Sequence, residues 1–455
     1  MTRAAALLLL AIGAGCADRE LPPTGQIVFS IDTDAPVPPP PGTLRGADEP
    51  SPLFDRLRIR VFRAGESEPC PGCSRELEVN EQLFLERAVS MGVVPEPGVE
   101  LLAAVELFRG VAATSEGPLP GSALAATLRL PVVEAEGIQR AAITLWVDDL
   151  GKPRGSLDAP IDAEAAPSAS RVGSWAGARR VPCAGPPGKG EVCIPGGAFW
   201  MGNPLVKGVA KATDADRLRI VVLSPFFFDE HEVTVRDARA SGDFVGVPWT
   251  GAAVGANPSD WCTFTSAEGP KDDLPVTCMD WSAASAYCQK RGARLPTEAE
   301  HEYVAGAFEA RLFPWGNAEP ACDDAIWGRG GVGVLKFHPN RCPLEGGIGS
   351  PEPPGSGARD RVAVGSSWVL DLAGNVVEWT RDRWNSQDEP CWATPGVYHD
   401  PVCELPSAAL PDRRSTRGGA FAFDAVFMAS AARGRELEVE LSGLVGFRCA
   451  RSAVP

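Results

Sequence analysis

Leu57-Arg-Ile-Arg-Val-Phe62 alternates apolar and basic side chains with a period of two, which predicts a half-buried strand. Residues 26–31, 75–79, 125–133 and 141–147 have a strand-like texture between clusters of turn residues, and residues 98–109 suit a strand or a short helix equally well. Together they predict a small all-β sandwich over residues 25–150. Residues 151–190 are rich in Ala, Pro, Gly and Ser without sustained periodicity, the composition of a linker. From residue 191 the texture changes, with tryptophans and Gly-rich turns becoming frequent. Trp281-Ser282 opens a run of good helix formers that ends at Gly292, with Ser282 expected as N-cap and Gly292 just past the last turn. Thr297 and Glu300 have the spacing of a capping box that starts a second helix. The remainder predicts short strands and long turns, so the expected fold class is α+β.

A chain of 455 residues implies two domains, and a net charge of −16 argues against a nucleic-acid surface, which needs clustered Lys and Arg. At the N-terminus Arg3 precedes an apolar run over 4–14, too short to span a bilayer, which takes about 20 residues, but suited to a secretory signal. Its Gly13-Ala14-Gly15-Cys16 end resembles the lipobox of bacterial lipoproteins. Residues 1–16 are therefore expected to be a signal peptide ending at a lipidated Cys16, and 17–24 a tether. Ala17 in place of Asp favours the outer membrane, with the protein facing the periplasm or the cell surface and meeting the membrane through its anchor. Without Cys16, twelve cysteines remain, an even number with no repeated metal-type spacing, as expected for disulfides in an exported protein. Proximity pairs Cys70 with Cys73, Cys183 with Cys193, Cys262 with Cys278, Cys322 with Cys342 and Cys391 with Cys403, and leaves Cys288 and Cys449.

A series of motifs runs through the second half: Ile194-Pro-Gly-Gly-Ala-Phe-Trp-Met-Gly202, Glu232-Val-Thr234, Pro275-Val276, Trp281, and Arg294-Leu-Pro-Thr-Glu-Ala-Glu300. Phe313-Pro-Trp-Gly-Asn317, Asp371-Leu-Ala-Gly-Asn-Val-Val-Glu-Trp379, Arg417-Gly-Gly419 and Gly446-Phe-Arg448 follow. In content and order they resemble the formylglycine-generating enzyme (sulfatase-modifying factor) family, over residues 191–455. The resemblance implies a C-type-lectin-like fold with little regular secondary structure and a disulfide between Cys288 and Cys449. It also implies a calcium site made by the Asp371 and Glu378 side chains with the Gly374 and Val376 carbonyls, a hard-oxygen set of the kind calcium prefers. A second family calcium site takes an Asn where this chain has Ala325.

The family's reaction uses two cysteines, five positions apart after the Arg-Gly-Gly turn, to bind copper. Phe423 and Met428 stand at those positions. Phenylalanine has no ligand atom, and one thioether does not replace two thiolates, so copper is not expected and no catalytic residue is assigned. The four histidines are dispersed, and Cys70-Pro-Gly-Cys73 lacks a partner motif. The expected function is a lipid-anchored, calcium-stabilised binding or scaffold module for a protein or carbohydrate ligand, with the aromatic loops at Trp384 and 392–398 equally suited to be contact surfaces or to pack inward. The alternative is an oxidoreductase or protein-modifying enzyme using the same cleft with different chemistry.

Overall fold

The computed structural model describes residues 25–453, apart from 47, 97, 134–136, 207–214, 216, 243–261, 331–340 and 343–348. Cys16 and the segments expected to be a signal peptide (1–16) and a tether (17–24) lie outside the described residues, as does His338. The N-terminal unit is built from β1 (Gln26–Thr33), β2 (Arg56–Arg63), β3 (Ser74–Glu78), β4 (Ser90–Val93), β5 (Leu101–Phe108), β6 (Ala123–Arg129), β7 (Ile138–Leu145) and β8 (Ile161–Asp162). They form a three-stranded sheet in the order β4-β1-β7 and a five-stranded sheet in the order β3-β2-β5-β6-β8. The period-two pattern explains the layering. In β2, Leu57, Ile59 and Val61 point into a core shared with Phe29, Ile31, Val105 and Ile143. The alternating Arg56, Arg58 and Arg60 face outward and pair with Glu78, Glu76 and Glu106 on the flanking strands.

Residues 98–109 resolve as strand β5, because β2 and β6 bond both its edges and its side chains are almost all buried. The segment expected to be a linker, 151–190, is instead built into this unit. Ile161 and Asp162 pair with Leu128 and Arg129, and Trp175 and Ala178 enter the core. Single apolar anchors, rather than any periodic pattern, hold this stretch down.

The C-terminal unit is a mosaic of small sheets and four disulfides within long turns. Its strands are β9 (Glu191–Ile194), β10 (Gly197–Met201), β11 (Arg219–Leu223), β12 (Phe226–Asp229), β13 (Arg361–Val364), β14 (Ser367–Leu370) and β15 (Val377–Arg383). They continue as β16 (Val397–His399), β17 (Arg413–Arg417), β18 (Arg433–Leu437), β19 (Val445–Gly446) and β20 (Ala450–Ser452). The largest sheet runs β18-β17-β15-β19 and carries the residues discussed below. With few helices among these strands, the fold class is α+β.

Among the described residues, three α-helices brace the strands of this unit. Val235–Ser241 starts with a capping box between Thr234 and Asp237. Trp281–Lys290 is capped by Asp280, whose carboxylate accepts from the Ala283 N–H at 2.8 Å, and not by Ser282, which lies inside the first turn. Gly292 follows it with φ 70°, the left-handed residue expected there. Glu298–Ala305 opens with the Thr297–Glu300 capping box read from the sequence. The five disulfides expected from proximity form, and so does Cys288–Cys449, which joins residues 161 apart.

The two units meet over a buried junction. Trp200 packs edge-on against Phe54 with ring centroids 5.4 Å apart, and its indole N–H donates to the Leu53 carbonyl. Arg180 donates to the Tyr303 hydroxyl at 2.6 Å and to the Ser51 hydroxyl at 2.9 Å. Ala198, Trp200, Ile220 and Ala310 thereby extend the N-terminal core across the boundary.

Candidate functional site

The Arg417-Gly-Gly turn sits where β17 ends, and its tight packing explains the glycines. A Cβ on Gly419 would lie 2.4 Å from the Ala373 carbonyl oxygen and 3.1 Å from the Met428 Cγ. Asp424 then caps a short 3-10 helix, Ala425–Met428, through the Ala425 N–H at 2.8 Å. That turn drives Met428 inward to full burial beside Ala373, Phe313 and Trp327. Phe423 is half-buried, with its ring 5.2 Å from that of Phe427. Its backbone is fixed by an N–H bond to the Ala420 carbonyl and by the Gly328 N–H donating to its own carbonyl. The positions that the resemblance implies for copper thiolates are thus filled by packed apolar side chains. All twelve cysteines among the described residues are in disulfides. A copper site of soft sulfur donors does not fit here.

The Asp371–Glu378 segment lies directly beneath. Asp371 has φ 53° and Asn375 φ 67°, so the turn folds back on itself. Asp360 stabilises this turn by accepting from the Leu372, Ala373 and Gly374 N–H groups at 2.8–3.1 Å. The Asp371 carboxylate accepts from the Gly355 N–H at 2.5 Å. Glu378, on β15, receives the Arg448 guanidinium in a two-point contact, Nε at 2.7 Å and Nη2 at 2.6 Å. The same Nη2 donates to the Asp371 carbonyl at 2.8 Å. His301, fully buried, places Nε2 3.5 Å from the Glu378 carboxylate. Glu232 accepts from the Asn375 amide at 3.2 Å through one oxygen and leaves the other buried without a partner.

Charge in this cluster is unbalanced. Glu232, Asp360, Asp371 and Glu378 converge on one guanidinium, and burial holds His301 below its ordinary value despite Glu378. Burial, followed by the Asp360 charge, pushes Asp371 up to about 7, and burial pushes Asp360 up to about 6. Burial and the Asp371 charge raise Glu232 as well. Glu378 alone of the four is lowered: burial pushes it up, but Arg448 and His301 together pull it down further. The donors are all hard oxygens with excess negative charge, including an oxygen that nothing satisfies. Among the described residues no group of three or more His, Cys, Asp or Glu side chains is placed to hold a metal ion, and Arg448 occupies both Glu378 oxygens. Sequence reasoning missed Glu232 and Asp360 as members, since they lie over 100 and about a dozen residues from the segment; Glu232 stood inside a motif, the only signal available.

A second buried cluster lies on the same sheet. Arg417, in register opposite Glu378, donates to Glu302 at 2.8 Å and Glu298 at 3.0 Å. Arg433 grips both oxygens of Glu298 at 2.7 and 3.0 Å. Its guanidinium also stacks over Trp384 at 4.4 Å and Trp392 at 5.7 Å. Of the two placements open to these tryptophans, contact surface or inward packing, they take the second, at 2% and 3% exposed. Their cationic partner, invisible in sequence, draws them in.

The described geometry agrees with a family match. Residues 180–453 match the model of the sulfatase-modifying factor enzyme 1-like domain. The chain belongs to this family. The formylglycine-generating enzyme of Streptomyces coelicolor is 28% identical over 307 residues, covering 58% of this chain and 90% of the relative. That of Thermomonospora curvata is 30% identical over 271 residues, covering 51% of this chain and 82% of the relative. A bovine protein named inactive C-alpha-formylglycine-generating enzyme 2 is 34% identical over 130 residues, covering 26% of this chain and 36% of its own.

Proposed function

We propose that this chain is an exported, lipid-anchored member of the family whose domain serves as a calcium-stabilised binding or scaffold module, without copper-dependent oxidase activity. One observation carries the reading: Phe423 and Met428 pack at the positions where the family's copper thiolates would stand. Similarity to a relative named inactive supports it. Two aromatic or thioether side chains cannot supply the paired thiolates that hold and activate a soft metal. The calcium part rests on the unbalanced oxygen cluster around Asp371. The ligand of the module is a protein or carbohydrate on the outer envelope.

The direct test incubates the purified protein with copper, oxygen and a cysteine peptide of the sulfatase type, then seeks an aldehyde by mass. No aldehyde is expected, and its formation would sink the reading. Export and anchoring are tested separately, by metabolic labelling with palmitate in wild-type protein and in Cys16→Ser. Label in the wild type alone supports the anchor; equal label in both, or none in either, removes it.

A further inference from the structure

Away from the family domain, a recess of about 300 Å3 opens on the three-stranded sheet of the N-terminal unit. Strand register explains why space remains there. Ser30 lies opposite Ser90 on one side and Ala142 on the other, and Val28 lies opposite Gly92 and Arg140. Ser30, Ser90, Gly92 and Ala142 are small residues in this sheet, where larger side chains would fill the volume.

The far wall is fixed rather than loose. Segment 166–170 is tied to the sheet by Asp32, which accepts from the Ser170 hydroxyl at 2.7 Å and the Arg171 N–H at 2.9 Å. Arg87 clamps the same segment by donating to the Pro167 carbonyl at 2.9 Å and to that of Ser168. Those bonds occupy Asp32 and Arg87. Among the described residues, the Arg140 guanidinium and the Ser30 and Ser90 hydroxyls have no protein partner. The recess therefore offers an unused cation and two unused hydroxyls, beside an apolar wall of Val28, Phe84 and Val89. Its lining has two arginines to one aspartate in a chain of net charge −16.

We propose that this recess binds a small carboxylate-bearing ligand. The planar fork of Arg140 takes the carboxylate by two parallel hydrogen bonds. Ser30 and Ser90 bond the polar atoms next to it, and the aliphatic part rests on the apolar wall. A volume at the lower end of ligand sites, about 300 Å3, limits the occupant to something near the size of a dipeptide.

Calorimetric titration of the full chain tests this with N-acetyl-alanyl-alanine, its C-terminal amide and inorganic phosphate as probes. The acid is expected to bind about tenfold or more tightly than the amide and than phosphate. Arg140→Gln is expected to lower acid binding to the level of the amide at unchanged melting temperature, since Arg140 is exposed and supports no contact. Equal binding of acid and amide, phosphate binding as tightly as the acid, wild-type affinity in Arg140→Gln, or no binding of the acid up to about 10 mM would each overturn the proposal.

Discussion

Two clusters of buried charge flank β15 and β17, and they solve the same problem differently. Around Glu298 and Glu302, two carboxylates meet two guanidinium groups, Arg417 and Arg433. Around Asp371, four carboxylates share Arg448 alone. The proton affinities follow the balance only in part, since burial raises Glu302 despite Arg417, and Glu378 is lowered within the other cluster. Burial alone would raise Glu298, yet Arg433 and Arg417 hold it below the usual carboxylate range. Asp371, with no such partner, is pushed up to about 7. The first cluster pairs its charges internally, whereas Arg448 leaves carboxylate charge around Asp371 uncompensated.

The largest effect should come from breaking the balance. Arg417→Met leaves Glu302 without its guanidinium and Glu298 with Arg433 alone, and should cost about 3–5 kcal/mol in urea denaturation. Arg448→Met removes the only guanidinium of the other cluster and should cost a similar amount in metal-free buffer. The comparison predicts that calcium restores much of the second loss and none of the first. Equal recovery of both variants, or of neither, would collapse the distinction.

Next in size is calcium itself. At about one hundred times its dissociation constant, a ligand that binds only the folded state adds about 2.7 kcal/mol, read as a rise in melting temperature. Asp371→Asn should blunt that rise while leaving the metal-free protein folded, because an amide oxygen can still accept from Gly355. An unchanged calcium response in this variant would exclude Asp371 as a ligand.

The smallest effect is a pH slope at the edge of the balanced cluster. Asp382 accepts from the Glu298 and Cys403 N–H groups, and burial followed by the Glu298 charge pushes it up to about 7. Its folded value lies above that of the unfolded chain, about 3.9, so between these limits the folded state binds more protons. Stability from this group therefore falls as pH rises from about 4 to 7. Asp382→Asn should flatten that part of the slope, measured by chemical denaturation at pH 5 and pH 7. An identical slope in the variant would show that Asp382 does not titrate in this window.

Local chemistry was legible in the sequence. The Thr297–Glu300 capping box, the five near-neighbour disulfides and the outward arginines of β2 each depend on residues close in the chain. The helix start was misplaced by two residues because Asp280 and Ser282 are both capable caps, and only the path of the chain into the helix selects Asp280. What stayed hidden was long-range compensation. Arg417 finds Glu298 across 119 residues and Arg448 finds Glu378 across 70, and an arginine in sequence reads as surface. The same limit applied to the 151–190 stretch, whose single anchors Ile161 and Trp175 acquire meaning only beside strands already in place.

The junction around Trp200 bears on how the molecule divides and changes. Composition suggests a cut near residue 190, but a fragment trimmed there would bare Trp200, Ala198 and Ile220, which now lie against Phe54 and its neighbours. The two units are therefore not interchangeable parts. A substitution at Leu53 or Phe54 is felt inside the family domain, so the N-terminal sandwich and its neighbour must vary together to keep a shared interior filled.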